Sequence, residues 1–124
     1  MRLILDTHLL LWALGQPARL SAAARKQIEK ADVYISAASI WEISIKATLG
    51  KLKANPAEVL GAIEPAGFIL LDITGEHAAK TIELPPHHKD PFDRMLVAQA
   101  SYEPMILLTN DAALADYGSF VKLI

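Results

Sequence analysis

"HHKDPFDRMLVAQA", His87 to Ala100, is the stretch on which the reading of the whole chain turns. Asp90 followed by Pro91 opens a helix: the aspartate caps the free backbone N–H groups, and proline sits where its missing N–H costs nothing. Asp93 is harder to place. On a helix it shares a face with Leu96, Val97 and Ala100, so a carboxylate heads an apolar stripe that should face a core. A lone charge buried there would cost several kcal/mol. Something must compensate it, and what surrounds that first turn depends on the rest of the chain.

Outward from this helix, short apolar runs alternate with helical segments. Strands are predicted at Arg2–Leu5, Val33–Ser36, Phe68–Ile73, Met105–Leu108 and Phe120–Leu123. Ser21 can cap "AAARKQIEKA", and "AASIWEISIKATLG" ends at Gly50, a C′ glycine. Asn55-Pro56 opens "AEVLGAIEPAG", Thr74 precedes "GEHAAKTIEL", and Asn110 can cap "DAALADYG". The alternation predicts an α/β fold: one domain over residues 1–124, with a mainly parallel central sheet of about five strands and helices on both faces. Every strand's C-terminal end then lies along one edge of the sheet, where ligands bind in open α/β folds.

The totals agree. A chain of 124 residues, 52% of them hydrophobic, is long and apolar enough to bury a core. Its mean hydropathy of +0.27 fits a sheet covered on both faces. There is no cysteine, which rules out disulfides and thiolate-bound zinc and fits a reducing cytoplasm. "MRLILDTHLLLWALG" looks like a signal peptide, but Asp6 and His8 interrupt it, and no run reaches the roughly 18 apolar residues of a membrane span. The formal charge of −2 gives no electrostatic reason to expect a nucleic acid.

Four acids fall at or near the C-terminal edge. Asp6 ends the first strand, Glu42 lies early in the helix after the second, Asp93 is in the first turn of "PFDRML", and Asp111 directly follows the fourth strand. Oxygen ligands of this kind suit a hard cation, Mg²⁺ or Mn²⁺, which would also supply the charge that Asp93 requires. Each acid also has a purely structural explanation. Asp6 and Asp111 can cap the helices that follow them. Ser39-x-x-Glu42 fits a capping box, with Lys46 as an ion-pair partner one turn on, and Asp93 gains from the helix dipole. Together the four are less easily dismissed, because like charges at ~4 Å repel by about 1–4 kcal/mol per pair.

Other catalytic arrangements are absent. There is no P-loop, no dinucleotide-binding glycine motif and no nucleophile elbow. His87-His88 could suggest zinc, but adjacent loop histidines seldom ligate together, and His8 and His77 fit ordinary helix positions. A phosphoacceptor site at Asp72 would need a paired acid after the first strand and a late lysine, and these are missing.

"LILDTHLLLWAL", "SIWEISIKATLGKL", "HKDPFDRMLVAQA" and "LLTNDAAL", in this order, resemble the PIN-domain ribonucleases, and within them the VapC-like toxins of toxin–antitoxin pairs. The "DPFDR" element is the specific part. The resemblance implies an endoribonuclease dependent on Mg²⁺ or Mn²⁺, acting on tRNA or other structured RNA. It also implies a homodimer neutralised by a cognate antitoxin that inserts a segment into the acidic cleft. Asp6, Glu42, Asp93 and Asp111 match the family's acidic quartet. Asp6, Asp93 and Asp111 would bind the cation directly or through water, and Glu42 through water or by orienting the nucleophile. Thr7 and Thr109 stand beside two of the acids, Asp90 supports them from the cap, and Arg94, Lys46, Lys51, Lys53 and Lys89 are candidates for RNA phosphate contacts. The rival reading is a non-catalytic protein-binding module, its acids only capping helices and Leu9–Trp12 with Trp41 forming an association surface.

Overall fold

The computed structural model describes every residue, Met1–Ile124. Five strands, β1 (Arg2–Leu5), β2 (Asp32–Ser36), β3 (Ile69–Leu71), β4 (Ile106–Thr109) and β5 (Val121–Leu123), form one sheet in the order β3-β2-β1-β4-β5. All four pairings are parallel. Six α-helices accompany them: α1 (Thr7–Gly15), α2 (Ala22–Lys30), α3 (Ala37–Thr48), α4 (Pro56–Ile63), α5 (Gly75–Lys80) and α6 (Pro91–Tyr102). Short 3₁₀ turns lie at Pro17–Arg19, Thr81–Glu83 and Ala112–Tyr117. None of the helices is long and apolar enough to cross a membrane.

Handedness explains how the layers fall. From β1 the chain steps outward to β2 and β3, then crosses back to β4 and steps the other way to β5. Right-handed crossovers put the connections of opposite step on opposite faces. Accordingly Leu9, Leu10, Ala24, Ile43 and Ile63 of α1 to α4 pack with Leu3, Leu5, Val33 and Ile35 on one face. Leu96, Val97 and Ala100 of α6, with Leu114, pack with Ile4, Leu107 and Val121 on the other. Alternate strand residues serve alternate faces, as the pleat demands. The expected α/β fold with both faces covered is therefore the one observed, and the strand order reverses between β1 and β4.

Several boundaries differ from the sequence expectation, each for a local reason. β3 is only three residues, because the Phe68 N–H is taken by the Ile63 carbonyl at 3.0 Å as α4 ends. Asp111, not Asn110, caps the last helical segment, which winds as a 3₁₀ turn. α3 starts one turn earlier than a Ser39 cap would place it, since β2 ends at Ser36 and the Ser36 hydroxyl accepts from the Ala38 N–H at 3.0 Å. The Ser39–Glu42 capping box therefore does not exist. A reciprocal box does form at α5, where Thr74 accepts from the His77 N–H and the His77 ring accepts from the Thr74 N–H, both at 3.1 Å. Gly50 follows α3 with φ +70°, the left-handed conformation expected of a C′ glycine.

Gly118 adopts φ +147°, and a Cβ there would lie 3.0 Å from the Phe120 ring. Gly118→Ala is expected to destabilise the protein by about 1–3 kcal/mol. Gly15 has open space around it in the last turn of α1, so Gly15→Ala should be neutral or stabilise by up to about 1 kcal/mol. Urea midpoints of the two variants against the parent chain check the contrast.

Candidate active site

At the C-terminal edge of the sheet, where the order reverses, a cleft of about 520 Å³ is lined by nine residues, none hydrophobic. They are Asp6, His8, Glu42, Lys46, His88, Asp90, Asp93, Asn110 and Asp111. All four acids singled out in the sequence reach it, although they come from β1, α3, α6 and the end of β4.

Two of the acids divide their oxygens between capping and the cleft. Asp6 accepts the His8 N–H on Oδ1 at 2.9 Å, capping α1, and the Thr109 hydroxyl on Oδ2 at 2.6 Å. Thr109 in turn accepts the Asp111 N–H at 3.0 Å, so one hydroxyl at the end of β4 ties the two aspartates together. Asp111 caps its 3₁₀ turn through Oδ1 and presents Oδ2 to His88 Nε2 at 3.1 Å. The structural and site readings of these two acids are thus compatible, because a carboxylate has two oxygens.

Glu42 is 3% exposed and caps nothing. Its Oε1 accepts from the Thr7 hydroxyl at 2.8 Å and its Oε2 from Lys46 Nζ at 2.5 Å. Ser39 Oγ lies 2.8 Å from the same Thr7 oxygen; a hydroxyl has one proton, so Thr7 donates to the carboxylate and accepts from Ser39. Asp90 caps α6 as expected, its Oδ1 accepting the N–H groups of Phe92 at 2.8 Å and Asp93 at 3.1 Å. Asp93 differs from the other three. No hydrogen bond reaches its carboxylate, and His88 Nε2 stands 3.5 Å from it.

The electrostatics follow from these contacts. Burial alone would raise Asp6, but the His8 imidazole 3.8 Å away and hydrogen bonds from Thr109 and the His8 backbone hold its carboxyl below the ordinary value. His8 is raised, chiefly by the Asp6 carboxylate 3.8 Å from its ring, and Lys46 is raised by its bond to Glu42. Asp93 is pushed up to about 7, first by burial and then by the charges of Asp6, Asp90 and Glu42, against the opposing pull of His88. The compensation that the sequence demanded for Asp93 is not provided by the protein. The donor set fits a hard divalent cation: one ligand atom each from His88, Asp93 and Asp111 lie within 4.8 Å of one another.

The basic candidates disperse. Lys46 lines the cleft, and Lys53 lines an adjoining groove that shares His8 with it. Lys89 lines a separate groove beside Trp41, and Lys51 lines none of these. Arg94, the remaining phosphate candidate, is engaged within the protein. Its guanidinium donates to the carbonyls of Thr81 at 2.9 Å and Pro85 at 3.1 Å, and to the Tyr117 hydroxyl at 3.1 Å, with Leu84 and His88 at 3.4 Å. It is spent on the loop before α6. His8, expected as an ordinary helix residue, and His88, weighed only as half of a zinc pair with His87, both enter the cleft. The available signal was position: His8 stands two residues after Asp6, and His88 two before the capping Asp90. Leu9 and Leu10 are buried, so of the supposed association surface Trp41, 61% exposed, is the prominent remainder.

The fold and the cleft define a class: an open parallel α/β domain with an acid-lined crevice at its switch point. The chain belongs to the PIN domain family, whose model matches residues 3–119. It is 31% identical over 117 residues to Ribonuclease VapC22 of Mycobacterium tuberculosis (strain ATCC 25618 / H37Rv), spanning 92% of this chain and 90% of that protein. In the solved complex VapBC2 from Rickettsia felis bound to a DNA fragment from their promoter, one chain superposes with a TM-score of 0.72 at 16% identity, covering 100% of this chain and 98% of that one. DNA-bound VapBC from Salmonella typhimurium gives 0.67 at 17%, covering 100% and 97%. At these identities the structures speak for the fold alone. The family expected from the acids and the "DPFDR" element is the one found.

A carboxylate raised on folding weakens the native state as pH rises. Asp93 titrates at about 3.9 when unfolded and about 7 when folded, so between those values the folded state binds the extra proton and stability falls with increasing pH. His8, also raised, loses stabilisation in the same direction just above its ordinary range, in wild type and variant alike. In EDTA, Asp93→Asn should therefore be more stable than wild type at about pH 8, with the advantage fading towards about pH 4. Urea unfolding at several pH values measures this, and an advantage that grows as pH falls contradicts it.

Proposed function

We propose that the chain is a metal-dependent endoribonuclease that acts as the toxin of a VapBC-type toxin–antitoxin pair. The observation that carries this reading is the all-polar cleft, which gathers four acids from four elements and leaves the carboxylate of one of them, Asp93, without a hydrogen bond. The family, and likeness to a relative named a ribonuclease, support the activity. The partner is supported by neighbours solved as VapBC complexes.

Asp6, Asp93 and Asp111 would hold Mg²⁺ or Mn²⁺ directly or through water. When bound, such a cation lowers the pKa of a water and withdraws charge from a phosphate oxygen. The chain's own residues do the rest. Thr109 and the His8 backbone fix Asp6, and Thr7 and Lys46 fix both oxygens of Glu42, so the acids meet the substrate already ordered. Glu42 orients the attacking water, and Lys46 Nζ meets the RNA phosphate at the mouth. A cation in the cleft also offsets part of its negative charge and gives a phosphate a local positive centre to meet, which allows a chain of formal charge −2 to accept RNA. A cognate antitoxin silences the enzyme by placing a segment of its own in the same cleft. The homodimer forms on the apolar groove of Trp41, Ile45, Ile73, Phe92 and Met95, where the exposed Trp41 ring meets Phe92 edge-on at 5.3 Å.

A module whose acids only cap helices is favoured by Asp6, Asp90 and Asp111, which do cap, but Glu42 and Asp93 cap nothing. Millimolar Mg²⁺ or Mn²⁺ should raise the melting temperature of wild type, and less so that of Asp93→Asn. Glu42→Gln and Asp93→Asn should each lower Mn²⁺-dependent RNA cleavage by about a hundredfold or more, roughly 2.7 kcal/mol of barrier, while remaining folded. Full cleavage by either variant removes that acid from the site, and wild type with no cation response removes the metal. Sedimentation should find a dimer that Trp41→Lys converts to monomer; a Trp41→Lys dimer would move the interface elsewhere.

A further inference from the structure

His88 is held at three points by groups outside the acids. Its backbone N–H donates to the Tyr117 hydroxyl at 3.1 Å, its carbonyl accepts from Arg94 at 3.4 Å, and its ring Nδ1 accepts from the Asp90 N–H at 3.1 Å. The last contact assigns the proton. A ring nitrogen that accepts from a backbone amide keeps its lone pair, so the neutral imidazole carries its hydrogen on Nε2. Nε2 is the nitrogen aimed into the cleft, 3.1 Å from Asp111 Oδ2 and 3.5 Å from Asp93 Oδ2.

This separates two roles that distance alone leaves open. Nε2 is close enough to the two carboxylates for all three to hold one cation. However, a protonated Nε2 has no in-plane lone pair to give. Freeing it would move the proton to Nδ1, which would then point at the Asp90 N–H, donor against donor. We propose that His88 is a positioning residue, donating from Nε2 to Asp111 and facing Asp93, and standing outside the cation's ligand set. The proposal rests on reading this cleft as the cation site.

The role has a structural need behind it. Asp111 is the most exposed of the four acids, its side chain 39% exposed, and its Oδ1 is already taken by the Ala113 N–H. His88 is what fixes the remaining oxygen. The Arg94 guanidinium, bonded across Thr81, Leu84, Pro85 and His88, and Tyr117 together hold the loop that brings His88 there. Outer partners of this kind typically change metal affinity by about 10–100-fold when removed.

Long-range ¹H–¹⁵N spectra of the labelled full chain test the tautomer directly. In EDTA the His88 ring should show the Nε2–H pattern, and it should keep that pattern when Mg²⁺ is added. An Nδ1–H pattern in either state overturns the proposal. Calorimetry with Mg²⁺ then compares His88→Gln, whose amide can restore the donor, with His88→Leu. Leucine should weaken binding by about tenfold or more and glutamine by much less; equal losses would make His88 a ligand, and no loss from leucine would make it a bystander. If wild type binds no Mg²⁺, the metal reading of the cleft fails, and the proposal is decided in EDTA by the Asp111 carboxyl ¹³C resonance. That resonance should move in His88→Leu and return towards wild type in His88→Gln; an unmoved resonance overturns the proposal.

Discussion

Repulsion among carboxylates crowded at one sheet edge is the constraint around which the cleft is organised. Each like pair at ~4 Å costs about 1–4 kcal/mol, depending on how much water screens it. The protein offsets this unevenly. Asp6 has a hydroxyl and a backbone N–H, Glu42 a hydroxyl and an ammonium, and Asp111 a backbone N–H and an imidazole. The Asp93 carboxylate accepts no hydrogen bond and is raised to about 7. The parallel sheet makes the crowding unavoidable, because its order reverses between β1 and β4 and brings residues 6 and 109–111 side by side. The Thr109 hydroxyl, bonded to both the Asp6 carboxylate and the Asp111 N–H, is the stitch across that reversal.

The sequence made the fold legible because its signals were redundant. Strand runs, caps and the Asp90-Pro91 start agreed with one another, and Asp90 caps α6 as its position suggested. Boundaries failed where a tertiary contact took precedence over a local motif. Ser39-x-x-Glu42 has the letters of a capping box, yet the helix begins where β2 releases the chain, at Ser36. Capping and site roles could not be separated for Asp6 or Asp111, since sequence does not say which oxygen goes where. Glu42 and Asp93 were separable only by what they fail to cap.

The basic residues were the least legible part, for a physical reason. A guanidinium is as satisfied by backbone carbonyls as by phosphate, and the carbonyls that capture Arg94 lie in a loop whose path has no periodicity to announce it. Once that path is known, the arginine of "DPFDR" makes sense beside the second aspartate. Asp93 faces the cleft from the first turn of α6, while Arg94, one residue on, turns to the loop from Thr81 to His88, the last residue of which lines the same cleft. The histidine was hidden similarly. "HHKD" places two rings in a loop, and only the Asp90 N–H and Tyr117 hydroxyl pick out the one that reaches the acids; the other, His87, rests against the Tyr117 ring at 5.0 Å.

The uneven distribution of donors also orders the cleft by charge. Lys46 neutralises Glu42 at 2.5 Å and is held above its ordinary range by that contact, so one side of the cleft carries a permanent cation. Asp93 and Asp111 have no such ammonium bonded to them and face His88, whose Nε2 lies 3.1 Å from Asp111 and 3.5 Å from Asp93. A cation entering from solvent gains little beside the Lys46 ammonium and most beside Asp93, whose carboxylate accepts no hydrogen bond. Under the proposed function this puts Asp6, Asp93 and Asp111 on the cation's side. Glu42 is left next to it, paired with Lys46 and oriented by Thr7, in the place suited to directing a water rather than binding the ion.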